Sequence, residues 1–120
     1  MTFPELLFST LSPIFNFQVF PLVAPDSCVP PYAVYTQVGS APSKTLADGV
    51  TQEQDRYQID VYATGFAECF ALSKSARTAI LAIPYPVGAS LIDESYQYEP
   101  EVLWHRAISE FYLTQSRSAA

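Results

Sequence analysis

The sequence predicts an α+β fold: a small, mainly antiparallel sheet of about four strands in two hairpins, with two helices packed on one face. Three observations predict it. Arg56 to Ala63 alternates apolar and polar side chains, the two-residue period of a half-buried strand, and passes directly into a helical run from Gly65 to Ile83. Asp48-Gly49 and Pro100-Glu101 sit as turn pairs between extended segments. The ten prolines spare Ser43 to Ile83 and everything after Pro100, so the regular core elements belong in those two windows.

The first element is a short helix from Pro4 to Leu11. Thr2 is its N-cap, Pro4 lies in its first turn, Glu5 favours the positive end, and Pro13 stops it. Leu7 and Leu11, with Phe3 or Phe8 beside them, supply the apolar stripe. Phe15 to Phe20 reads as an edge strand or extended lead-in, and Pro21 to Pro31 as a proline-rich loop. Tyr32 to Val38 is a strand, with Val34, Thr36 and Val38 on one face and Ala33, Tyr35 and Gln37 on the other.

Residues 39–54 are polar or small and have no period, and Asp48-Gly49 near their middle is a hairpin signal. A two-residue turn there puts Ala47 opposite Val50, Val38 opposite Ile59, Thr36 opposite Val61 and Val34 opposite Ala63, so that the apolar faces coincide. The outer half of such a hairpin projects on the order of 20 Å. The same stretch also reads as a loop, and a partly disordered arm is the expectation for the free protein.

In the helix, Cys69, Leu72, Ala76, Ala79 and Ile83 step by three and four residues, an apolar stripe. Glu68 precedes Lys74 and Arg77, the charge order the helix dipole prefers, and Pro84 and Pro86 end the element. A second hairpin, Leu91 to Glu99 with Val102 to Gln115, pairs Tyr98 with Leu103, Tyr96 with His105 and Ile92 with Ser109. Its last strand is apolar on both faces: Ala107, Phe111 and Leu113 on one, Trp104, Ile108 and Tyr112 on the other. One face packs on the helix. The other is either a second small core under the N-terminal Phe15, Phe17 and Phe20 or a contact surface for a neighbouring subunit.

Composition narrows the function. At 120 residues the chain makes one domain, 49% apolar and 15% charged, against about 25% charged in an average soluble domain. Six basic against twelve acidic residues give a net charge of −6, with the cations scattered at Lys44, Arg56, Lys74, Arg77, Arg106 and Arg117, which opposes nucleic-acid binding. Cys28 and Cys69 form neither a disulfide framework nor a metal pair. No signal peptide or membrane span is read, which suggests synthesis in a cytoplasm.

The chemistry of sites is nearly empty. His105 is the sole histidine, and its expected neighbours are tyrosines rather than an acid or nucleophile. Asp93-Glu94 and Glu99/Glu101 are explained by solvation better than by glycoside chemistry. There is no Gly-x-Ser-x-Gly, phosphate loop, Cys-x-x-Cys or His-Glu-x-x-His. No catalytic residue, cofactor or metal site is expected, and the chain reads as a scaffold rather than an enzyme.

Val19-Phe20-Pro21 with Ala24-Pro25, Pro31 to Tyr35, Arg56 to Ala63, Ala76-Arg77 and Tyr98 to Glu101 follow one another in an order that resembles the tail completion, or tail terminator, proteins of long-tailed bacteriophages. The similarity spans roughly Glu5 to Leu113; residues 39–54 match only in being variable. The resemblance implies a structural virion protein of the tail and neck. Such a subunit closes as a six-membered ring on the tail tube, ends its polymerisation and offers a docking surface for the head connector. Its partners are then other copies of itself, the tail tube protein and the head–tail connector, with DNA a passing, non-specific neighbour and no membrane involved. For the subunit or partner interface, apolar exposure and hairpin geometry nominate Trp104, Ile108 and Tyr112 as one patch and Leu46, Asp48, Gly49, Val50 and Gln52 as another. A head-closure or neck adaptor protein is the first alternative, and a small-ligand binder or enzyme the second.

Overall fold

The computed structural model describes residues 2–45, 50–84 and 87–118. In chain order the elements are α1 (Phe3–Leu11), β1 (Val19–Pro21), β2 (Tyr32–Thr45), β3 (Val50–Ala63), α2 (Phe66–Leu81), β4 (Val87–Glu99) and β5 (Trp104–Ser118). One five-stranded sheet has the order β1-β2-β3-β5-β4, antiparallel throughout except that β1 runs parallel to β2. The α+β class is as the sequence predicts, with a fifth short strand from the lead-in segment. Because β2, β3 and β5 are each fourteen or fifteen residues long, the molecule is drawn out to 52 × 23 × 23 Å.

Both helices lie on one face of the sheet. α1 forms where Thr2 accepts from the Glu5 amide and the Glu5 carboxylate accepts from the Thr2 amide, a reciprocal cap that satisfies two otherwise unpaired donors. Phe3, Leu7 and Leu11 are the residues it buries; Phe8 points outward. α2 buries Cys69, Ser73, Ala76 and Ile80, with Leu72 and Ile83 packed at the margin. The stripe therefore sits slightly rotated from the one read in the sequence, and it includes a serine. Ser73 is tolerated there because its hydroxyl donates to Glu94 Oε1 at 3.4 Å. The sheet supplies Ala33, Tyr35, Tyr57, Ile59, Val61, Ala63, Ala107, Phe111 and Leu113 to the same core, and Phe15 joins them from the segment before β1.

Two registers differ from the sequence reading. In the first hairpin, Tyr35 pairs with Ile59 and Ala33 with Val61, three positions away from the expected pairing. The pairing starts one residue off at Thr45↔Thr51, shifts again between Ala41 and Lys44, and shifts once more at Val38 between Gln37 and Gly39. An odd total reverses the faces, because side chains alternate with period two. The face of β2 toward the helices is thus Ala33 and Tyr35, and Val34 and Thr36 point to the opposite face, where Val34 is still buried. In the second hairpin the connection is four residues, 100–103, not two, so Tyr98 pairs with His105 and Tyr96 with Ala107. That slip of two keeps the faces. Leu103 closes the turn at a φ of 59°, a left-handed conformation for which no glycine advertises itself.

Candidate interaction surfaces

The middle of the helix-free face of the sheet is built by alternate residues of three strands. β5 gives Trp104, Arg106, Ile108, Glu110 and Tyr112; β3 gives Tyr62, Asp60, Gln58 and Arg56 opposite Arg106 to Tyr112; β2 gives Tyr32, Val34 and Thr36. At one end the rings form a small aromatic layer. Tyr32 stacks on Tyr62 at 4.8 Å and meets Phe20 and Trp104 edge-on at 6.3 and 6.0 Å. Trp104 is consequently half-buried, Ile108 likewise, and Tyr112 exposed. Of the N-terminal phenylalanines, Phe20 reaches this layer, Phe15 enters the main core, and Phe17 stays in solvent.

Beside the rings lies a charge network. Asp60 is only 6% exposed, yet it accepts from Arg106 Nη2 at 3.0 Å and from Gln58 Nε2 at 3.0 and 3.2 Å. Arg106 also reaches Glu99 at 3.5 Å and lies over the Tyr62 ring. Burial pulls the Arg106 guanidinium toward losing its proton, but Asp60, Tyr62 and Glu99 outweigh it and hold its pKa above the usual value. Toward the other end, Arg56 Nε is 3.8 Å from Glu110 and makes no hydrogen bond. It borders a hollow of about 270 Å³ lined by Gly39, Ser40, Gln54, Arg56 and Tyr112.

Burial pushes the Tyr32 phenol up to about 12, with Tyr62 and Cys28 adding to the shift and Arg106 opposing it. Burial also raises Tyr57 and Tyr62. An unfolded chain ionises its tyrosines near pH 10. Below that pH both states keep the proton and stability is complete. Above it the unfolded state ionises first, so stability should fall by about 2–3 kcal/mol between pH 10 and 12 for Tyr32. Urea midpoints at pH 9 and 11.5 measure this, and Tyr32→Phe should remove part of the slope.

The sites nominated from sequence separate in space. Trp104, Ile108 and Tyr112 do share the helix-free face. Leu46, Asp48 and Gly49 lie outside the described residues. Val50 pairs with Ser118, and Gln52 with Lys44 and Ser116, at the opposite end of the sheet from Trp104. Tyr112 lies four residues from Ser116, roughly 13 Å along the strand, and is the member of the stripe nearest that end.

A second surface was not expected from the sequence. Where α2 begins, Phe66 and Phe70 meet Tyr96 of β4 at 5.9 and 5.7 Å, and Phe66 also meets His105, which lies 5.0 Å from Tyr98. Lys74 Nζ sits 4.7 Å over the Phe70 ring. One sequence sign of it exists: Phe66 and Phe70 are four residues apart and off the buried stripe. Beneath, Glu94 accepts from Arg77 at 2.8 Å and from Tyr96 Oη at 2.9 Å.

Chemistry finds little footing in either place. His105 is surrounded by rings. Cys69 is buried, its thiol donates to the Val61 carbonyl at 3.6 Å, and burial raises its pKa, all of which make it inert. Among the described residues no cluster of His, Cys, Asp and Glu could hold a metal, and no helix is long and apolar enough to cross a membrane.

The comparisons agree with this picture of a structural part. A family model described as "Tail completion protein gp17" matches residues 14–115. A chain from a solved structure described as "Virion of native gene transfer agent (GTA) particle" is similar in fold, with a TM-score of 0.63 at 15% identity over 92% of each chain. No curated protein matches. With the matched segment running from Ile14 to Gln115, through all five strands and α2, the chain belongs to the tail completion protein family and is a structural tail component of a phage-type virion.

Proposed function

We propose that this chain closes as a ring on the finished tail tube, stops its polymerisation and presents the docking surface for the head connector. The observation that supports it best is the open sheet face: neither helix covers it, and it carries Trp104, Ile108 and Tyr112 in a row beside paired charges. An uncovered face of this kind belongs to a part that is completed by its neighbours. We assign it to the adjoining virion protein along the tail axis, with Tyr112, the Arg56 guanidinium and the Gln52 end of the hairpin as contacts, and we propose Leu46, Asp48, Gly49 and Val50 as further contacts. The net charge of −6 suits a conduit through which DNA slides without adhering.

The test is a mixing experiment. Purified chain added to polymerising tube protein should stop elongation at substoichiometric amounts, and Tyr112→Ser with Ile108→Ser should abolish the effect. Binding to the connector without any effect on tube length would instead favour a neck adaptor.

A further inference from the structure

Two groups of exposed apolar residues lie toward opposite edges of the sheet. On the β4 side, Phe66, Phe70, Tyr96 and Tyr98 are 36–53% exposed and touch one another or His105, making one continuous aromatic surface. On the β1 side, Leu22, Val23 and Val29 are 67–75% exposed, on the loop between β1 and β2. That loop is tied down. Leu22 N donates to the Tyr35 carbonyl at 3.0 Å, Cys28 N to the Pro25 carbonyl at 2.9 Å, and Gln18 Nε2 to the Pro31 carbonyl at 3.3 Å. A prearranged apolar knob loses little entropy on docking.

The two surfaces also sit at the same height along the strands. Val19 is in register with Ala33, Val61, Ala107 and Tyr96, and Pro21 with Tyr35, Ile59, Ser109 and Glu94. Their charges are complementary, with Lys74 over the aromatic surface and exposed Asp26 at the tip of the loop. A head-to-tail interface requires two different patches on each subunit, and a rotation that closes it gives a ring.

We infer that successive copies of this chain join edge to edge, the Leu22/Val23/Val29 loop of one seating on the Phe66/Phe70/Tyr96/Tyr98 surface of the next, with Asp26 meeting Lys74. This rests on the ring reading above and supplies its seam. It also leaves the helix-free face available to the adjoining virion protein.

The experiment measures native mass of the full chain across concentrations, free and on tube ends, for wild type, Phe70→Ser, Leu22→Ser, Lys74→Asp, Asp26→Lys and the double charge reversal. All four sites are exposed or half-exposed, and circular dichroism checks that each variant stays folded. Phe70→Ser or Leu22→Ser should raise the concentration needed for multimers by at least about tenfold, as loss of an anchoring side chain does. Each single charge reversal should weaken assembly, and the double reversal should restore it. Wild-type multimers with unaffected variants, or a double reversal that fails to rescue, would overturn this seam and leave the ring intact. A wild type that forms no multimer either free or on tubes would overturn the ring reading and this inference together.

Discussion

Replacing Phe111 by alanine is expected to cost about 3–5 kcal/mol, the range for deleting a buried aromatic ring. Phe111 is 2% exposed, pairs with Tyr57 on one side and Leu91 on the other, and belongs to the cluster with Ile59, Ile80 and Leu113. Because a domain of this size is stable by only about 5–15 kcal/mol, such a loss consumes much of the total. The melting temperature should drop on the order of 10–20 °C. The adjacent residue is the control. Tyr112 points to the opposite, exposed face, so Tyr112→Ala should change stability by less than about 1 kcal/mol. Equal losses at the two positions, measured by urea unfolding, would contradict the assignment of the two faces.

The second large effect concerns Arg106. Replaced by methionine, it leaves the Asp60 carboxylate buried with only Gln58 to hydrogen-bond it, at an expected cost of roughly 2–4 kcal/mol. The cost comes from stranding a charge, not from the worth of the pair. Replacing both Arg106 and Asp60 by apolar residues should therefore recover most of the stability. Arg106→Lys should recover only part, because Nη2 serves Asp60 while Nη1 serves Glu99, a fork that an ammonium does not reproduce. Chemical denaturation of the three variants checks this, and a double variant as unstable as Arg106→Met would show that Asp60 is not the reason.

What could be read from the sequence followed from periods and local chemistry. The α1 cap, the helical run after Ala63 and the two-faced β5 all depend on neighbours within a few residues, and all are present. Reading the inner face of β2 failed because the residues that shift the pairing, above all Val38, look like any other strand residue. A bulge has no side-chain signature here, and two of them with a one-residue offset at the start of the pairing make an odd total that parity counting cannot survive. The second hairpin slipped because Leu103 takes a left-handed turn position that sequence rules reserve for glycine. The edge strand read over Phe15 to Phe20 is present as β1 at Val19–Pro21; its short extent and parallel pairing were not legible because three residues beside a proline-rich loop carry no period. The Phe66/Phe70/Tyr96/Tyr98 surface was hidden for another reason. Its members come from a helix and a strand thirty residues apart in sequence, and only the observed pairing of Tyr96 with Ala107 and Tyr98 with His105 brings them beside α2.

On the proposed reading, the aromatic surface and the helix-free face give this small protein two directions of contact, around a ring and along a tail. Tail length in particles assembled without this chain tests that role most directly. If it ends tube growth, such particles should carry tails of excessive and uneven length with no heads attached, and supplying the chain should restore both. Tails of uniform normal length, joined to heads in its absence, would contradict it.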